Sequence, residues 1–105
     1  MANTYRELTA WQKAFSLCLD TYWATRLFPK SEAYGLAAQM QRAAVSVPSN
    51  IAYGSICELQ TQIMLATELG YLEREASGSL LQSSGDVERL TKAFIRSLEK
   101  KRLAH

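Results

Sequence analysis

Leu8, Trp11, Phe15, Cys18 and Tyr22 recur at alternating three- and four-residue spacing, the period of one helix face. Leu19 and Trp23 widen this stripe, while Arg6, Glu7, Gln12, Lys13, Ser16 and Asp20 mostly fall off it. A face this broad, with two tryptophans in it, is expected to be buried against more than one neighbour. The helix should stop before Phe28-Pro29, because a residue preceding proline is pushed out of the helical region. Lys30 to Gly35 then reads as a short polar connection.

A second helix is expected from Leu36 through Met40, Ala43, Ala44 and Val47, its small residues allowing a close neighbour. Pro48 should kink or end it by removing a backbone bond and clashing with the Ala44 carbonyl. Ser49 and Asn50 are good N-cap types for a helix restarting at Ile51. Ala52, Ile56, Leu59, Ile63, Ala66 and Leu69 carry the third helix. Gly70 suits a left-handed cap there, with Tyr71-Leu72 following to pack back on the last turn. The fourth helix opens around Glu73 to Glu75, where the dipole favours acidic residues, and is strongest at Val87, Leu90, Phe94, Ile95 and Leu98. Ser77-Gly78-Ser79 and Ser83-Ser84-Gly85 are weak helix formers, so a break there is possible. No strand alternation competes beyond an ambiguous Ala44 to Val47. Short connections make neighbouring helices antiparallel. The expected fold is all-α, an antiparallel up-down four-helix bundle in one domain spanning residues 1–105.

Composition narrows the classes. With 48% hydrophobic and 21% charged residues the chain is globular, not disordered. No apolar run approaches the roughly twenty residues of a membrane span, and Met1 to Glu7 lacks signal-peptide regions. A cytoplasmic protein with no membrane partner is therefore expected. Cys18 and Cys57 read as small buried hydrophobes, and nothing in their spacing asks for a disulfide. The net charge of +2 does not by itself announce nucleic acid, but its distribution is uneven. Residues 51–88 carry Glu58, Glu68, Glu73, Glu75, Asp86 and Glu88 against Arg74. The remainder carries Arg89, Lys92, Arg96, Lys100, Lys101 and Arg102 against Glu99. Such a tail complements the helix dipole; the alternative is a phosphate-facing patch.

Candidate chemistry is sparse. The single histidine is His105, the last residue, so a Ser-His or Cys-His nucleophile pair has no credible base. There is no Cys-x-x-Cys and no Glu-x-x-His, so no metal site is expected. The scattered Gly35, Gly54, Gly70, Gly78 and Gly85 form no phosphate loop, and Glu58 and Glu68 read as solvated carboxylates. No enzyme, cofactor or small-molecule substrate is expected. Near the turns around helix two stand Tyr34, Arg42 and Asn50: Tyr34 is expected to pack over a helix end and Arg42 to pair at a surface or subunit contact, the alternative being that they form an interaction site.

Tyr5-Arg6-Glu7-Leu8, Trp11-Gln12-Lys13-Ala14, Phe28-Pro29, Tyr34-Gly35-Leu36 and the run Gln39 to Ala52 closely resemble the bacterial four-helix-bundle proteins encoded by intervening sequences in 23S rRNA genes. The likeness resumes at Gly54-Ser55, Glu58 to Gln62, Ala66 and Leu69 to Leu72; the final helix matches by type only. In that family the Pro-Ser-Asn-Ile-Ala segment precedes an acidic residue, a glycine and a polar loop, before a second Ile-Ala-x-Gly-Ser-like segment. Here Ile51-Ala52-Tyr53-Gly54-Ser55 serves both places. Either the intervening segment is deleted, which would shorten helix three and leave nearer three helices plus a fragment, or residues are missing between Asn50 and Ile51 and four complete helices remain.

The resemblance implies a homo-oligomeric ring, often a pentamer. It also implies a shape similar to the accessory proteins of diversity-generating retroelements, which bind nucleic acid and a reverse transcriptase through basic ring surfaces. An oligomer would repeat one basic patch by symmetry. RNA or DNA backbone would then be bound by Lys92, Arg96, Lys100, Lys101 and Arg102, with Arg42 as an outlying candidate. The rival expectation is a structural ring or protein–protein adaptor.

Overall fold

The computed structural model describes residues 4–50 and 53–103. Four helices follow one another: α1 (Thr4–Thr25), α2 (Leu36–Asn50), α3 (Tyr53–Glu68) and α4 (Arg74–Leu103), with a single 3-10 turn at Lys30–Glu32. α1 packs on α2 and α4, and α3 packs on α2 and α4, so that α1–α3 and α2–α4 are the diagonal pairs. This is the expected antiparallel up-down bundle. His105 and the expected restart at Ile51 lie outside the described residues.

The inner face of α1 differs from expectation. Ala10, Ala14, Leu17, Thr21 and Thr25 are buried, while Leu8, Trp11, Phe15, Leu19, Tyr22 and Trp23 remain 43–63% exposed. Small residues also line the inner faces of its two neighbours: Ala37, Ala43 and Ala44 on α2, and Ser77, Ser84 and Thr91 on α4. Helices lined this way approach closely and leave no room for indole rings, so the large stripe is turned outward. Leu17, Met40, Val47, Ile56, Leu59, Ile63 and Val87 fill the thin core between them.

Hydroxyls and amides fix the register. Gln41 Nε2 donates to Thr25 Oγ1 at 2.9 Å between α2 and α1. Gln60 Nε2 donates to Ser84 Oγ at 3.2 Å and Thr67 Oγ1 to Ser77 Oγ at 2.7 Å between α3 and α4. The serine-rich stretch of α4 is thus continuous helix, not a break, because Ser77 and Ser84 are the buried contacts that hold it.

Pro48 also fails to end α2, which runs on to Asn50. So close to the C-terminus only the bond to the Ala44 carbonyl is lost. Nearby carbonyls are served by hydroxyls, Ser46 Oγ donating to Ala43 O and Ser49 Oγ to Val45 O. Gly70 adopts φ 81°, and Tyr71 N–H donates to Ala66 O at 2.9 Å while Gly70 N–H donates to Thr67 O at 3.0 Å. That is the Schellman closure expected of Gly70.

The hairpin of α2 and α3 is shorter than its partners. The Gln41–Thr25 register sets the end of α2 level with Ser16, and the α3–α4 bonds set Tyr53 level with Thr91. Residues 4–15 of α1 and 92–103 of α4 therefore project together, by about 18 Å at the usual helical rise, which accounts for a molecule 53 Å long and 23 by 18 Å across. α3, with 16 residues against 15 in α2, is a full member of the bundle and not a fragment.

Candidate functional site

Lys92, Arg96 and Lys100 stand at i, i+4 and i+8 on α4 and so share one face; all three are exposed. Arg96 and Lys100 line a shallow depression with Ala93 and Ser97. Arg89 begins the same row and is held by Asp86 at 2.6 Å, while Lys92 Nζ lies 3.5 Å from Glu88. Both pairs are local and exposed and restrain the cations weakly. Arg96, Lys100, Lys101 and Arg102 make no ion pair among the described residues, and Lys101 and Arg102 fall on other sides of the final turn. The projecting end of α4 thus gathers five of the six expected cations. Arg42 is not brought to them: it is exposed on α2, the helix diagonal to α4, and without an ion pair among the described residues.

The exposed face of α1 is the second feature, and the α1 periodicity concealed it by suggesting burial. Trp11 and Phe15 stack with ring centroids 5.3 Å apart. Together with Cys18 they form an apolar groove against Val45, Pro48 and Ser49 of α2. Farther along, the Arg26 guanidinium sits 4.7 Å over the Trp23 ring, a contact between cation and ring quadrupole. A third feature, not anticipated, is the outer side of α3. Met64, Leu65 and Leu69 are about half exposed there, and Cys57 is exposed instead of buried. The signal was present in the sequence, since Ile56, Leu59, Ile63 and Ala66 already supply a full inner face.

At the opposite end from the cations, Glu32 closes the bundle. One carboxylate oxygen accepts the Leu36 N–H at 3.1 Å and the other accepts the Tyr71 hydroxyl at 2.9 Å. The Leu36 bond, followed by the Tyr71 bond, holds the Glu32 carboxyl below its ordinary pKa, and donation to Glu32 holds the Tyr71 phenol above its own. Phe28 tilts against Tyr71 at 5.5 Å. Tyr34 does not pack over a helix end; it is 99% exposed. Burial raises the pKa of the Cys18 thiol. Among the described residues no cluster of His, Cys, Asp and Glu could hold a metal, and no helix is long and apolar enough to cross a membrane.

These features define an antiparallel four-helix bundle with a basic projecting end and outward apolar faces. A family model described as 23S rRNA-intervening sequence protein matches residues 6–55, which takes in α1, α2 and the opening of α3. Over that stretch the chain is similar to the 23S rRNA-intervening sequence proteins, the family its Trp11, Arg42–Ala52 and Gly54-Ser55 pattern resembles. No curated protein matches the chain.

Proposed function

We propose that this chain is a non-enzymatic, self-associating bundle that binds the backbone of nucleic acid, RNA foremost, in the cytoplasm. The observation that carries the nucleic-acid part is the projecting end of α4, where Arg96, Lys100, Lys101 and Arg102 stand exposed without carboxylate partners among the described residues. Phosphate binding is driven by counterion release, so several such cations repeated around an oligomer give affinity that the net charge of one chain does not. The outward aromatic face of α1 supports self-association, because a contiguous apolar patch of this kind marks an interaction surface. A closed ring, pentameric as the family resemblance implies, is the assembly proposed.

A gel-shift titration against structured RNA at two salt concentrations tests it. Binding should weaken steeply with salt, and replacing Arg96 and Lys100 by Ala should reduce the log–log salt slope by about one for each phosphate no longer neutralised. Absence of binding at low salt rules the proposal out. A second reading, a structural ring or protein–protein adaptor, is favoured by the α1 aromatic face alone, and it requires association with no salt-dependent affinity for RNA.

A further inference from the structure

Two shallow depressions follow one another along the outer seam between α1 and α2. The first is the apolar groove of Trp11, Phe15, Cys18, Val45, Pro48 and Ser49. The second is bordered by Thr25, Arg26, Lys30 and Gln41, beside the Gln41–Thr25 hydrogen bond that joins the two helices. Cys18 and Thr25 lie seven residues apart on one line of α1, so about 10 Å of helix separates the two. Arg42 links them from the α2 side. It precedes Val45 by three residues and Ser49 by seven, on the face that walls the groove, and it adjoins Gln41. Arg42 is exposed and has no ion pair among the described residues.

The seam is therefore aromatic at one end and cationic at the other, and no carboxylate among the described residues borders either depression. α2 contains no acidic residue. On α1, Asp20 is turned about 200° from Cys18, and Glu7 stands on the helix a turn before Trp11, at the end away from the cations. Glu32 is engaged by the Leu36 N–H and the Tyr71 hydroxyl.

We infer that this seam takes an unpaired stretch of RNA, a base lying against the Trp11–Phe15 pair and the neighbouring phosphates on Arg26, Lys30 and Arg42. The two rings are already stacked, 5.3 Å apart and 20° from parallel, so a base extends their stack. Any base of a single strand offers a face for this, whereas the bases of a duplex are closed against one another. A cationic track in line with stacking rings is the combination that holds single strands without reading their sequence. The inference rests on the RNA-binding reading above and narrows it to single strands and loops, through a surface separate from the projecting end of α4. Leu8, Leu19 and Trp23, on the side of α1 opposite its buried line, stay outside the groove and remain open to self-association.

The test uses the full chain carrying Trp23→Phe, which leaves Trp11 as its one tryptophan. Titrated at low salt, an oligouridine should quench Trp11 emission and a fully paired RNA duplex should not. In the parent, Trp11→Ala should weaken oligouridine binding, read by anisotropy of a labelled strand, about 5- to 150-fold. It should leave duplex affinity and the salt slope unchanged. Trp11→Leu keeps an apolar side chain in the groove and should lose the same affinity, so the loss does not turn on a folding defect. Arg42→Ala should instead lower the single-strand log–log salt slope by about 0.7. Single-strand affinity that follows Arg96 and Lys100 but neither Trp11 nor Arg42 overturns the inference and leaves the α4 reading standing. Quenching by polyglutamate or by raised chain concentration, but not by oligouridine, gives the seam to an acidic polypeptide or a second copy and overturns it too. Binding of neither RNA at low salt overturns both readings.

Discussion

Gly78 sits on the exposed side of α4 with open space where a Cβ would stand, so its flexibility serves no contact. Gly78→Ala should raise stability by about 0.5–1 kcal/mol, chiefly by restricting the unfolded chain, read as a higher midpoint in thermal or urea unfolding. Gly35 is the opposite case. A Cβ there would lie 2.6 Å from the Glu32 oxygen that accepts the Leu36 N–H. Gly35→Ala displaces that carboxylate and uncovers an N-terminal donor of α2, so the same chemical change should lower the midpoint. Thr91 gives a third single-residue test. It is fully buried on α4, and its hydroxyl has no partner among the described residues. Thr91→Val keeps the shape, removes an unsatisfied group and should add about 1 kcal/mol, measured in the same unfolding experiment.

At the scale of elements, the junction of α2 with the α3–α4 turn depends on one carboxylate. Glu32 has its pKa lowered in the folded state, so its contribution is present above the ordinary carboxyl value of about 4.5 and is lost as pH falls through the lowered one. Tyr71→Phe removes one of its two donors, and Glu32→Gln removes the titration altogether. Acid should therefore cost the parent more of its melting temperature between pH 7 and pH 3 than the Glu32→Gln variant, with Tyr71→Phe between them. How far these elements were legible in the sequence depends on the kind of signal. Period and Gly70 were enough to find four helices and the α3 cap, because both act locally. Period alone could not say which of two adjacent α1 stripes faces inward. Ala10, Ala14, Leu17 and Thr21 win that place only because α2 and α4 offer small residues opposite them. Propensity misjudged Ser77 to Gly85 for the same reason, tertiary contacts through Ser77 and Ser84 outweighing it. Lys92, Arg96 and Lys100 were legible as one row, since four-residue spacing is a local fact. Arg42 was not excluded, because only the bundle's diagonal separates it from α4.

For the whole molecule, the decisive feature is that α1 and α4 outrun the α2–α3 hairpin. The inner line of α4 continues through Leu80, Val87, Thr91 and Leu98 at helical spacing, yet exposure rises from 4% at Leu80 to 42% at Leu98. The line has passed the first turn of α3. Stability should be graded accordingly, since local opening is easiest where few side chains are buried. Leu80→Ala removes a core side chain and should cost about 2–5 kcal/mol; Leu98→Ala should cost well under about half of that. Hydrogen exchange read by mass spectrometry should show slow amides across residues 77–91 and fast ones across 96–103 in dilute chain. The fast segment carries Arg96, Lys100, Lys101 and Arg102, so RNA that binds there should slow it selectively and leave residues 77–91 unchanged. Protection of 96–103 equal to that of 77–91 in the absence of RNA would mean that the projecting α1–α4 pair is covered in solution by another chain. The basic end would then be a subunit contact before it is a phosphate contact.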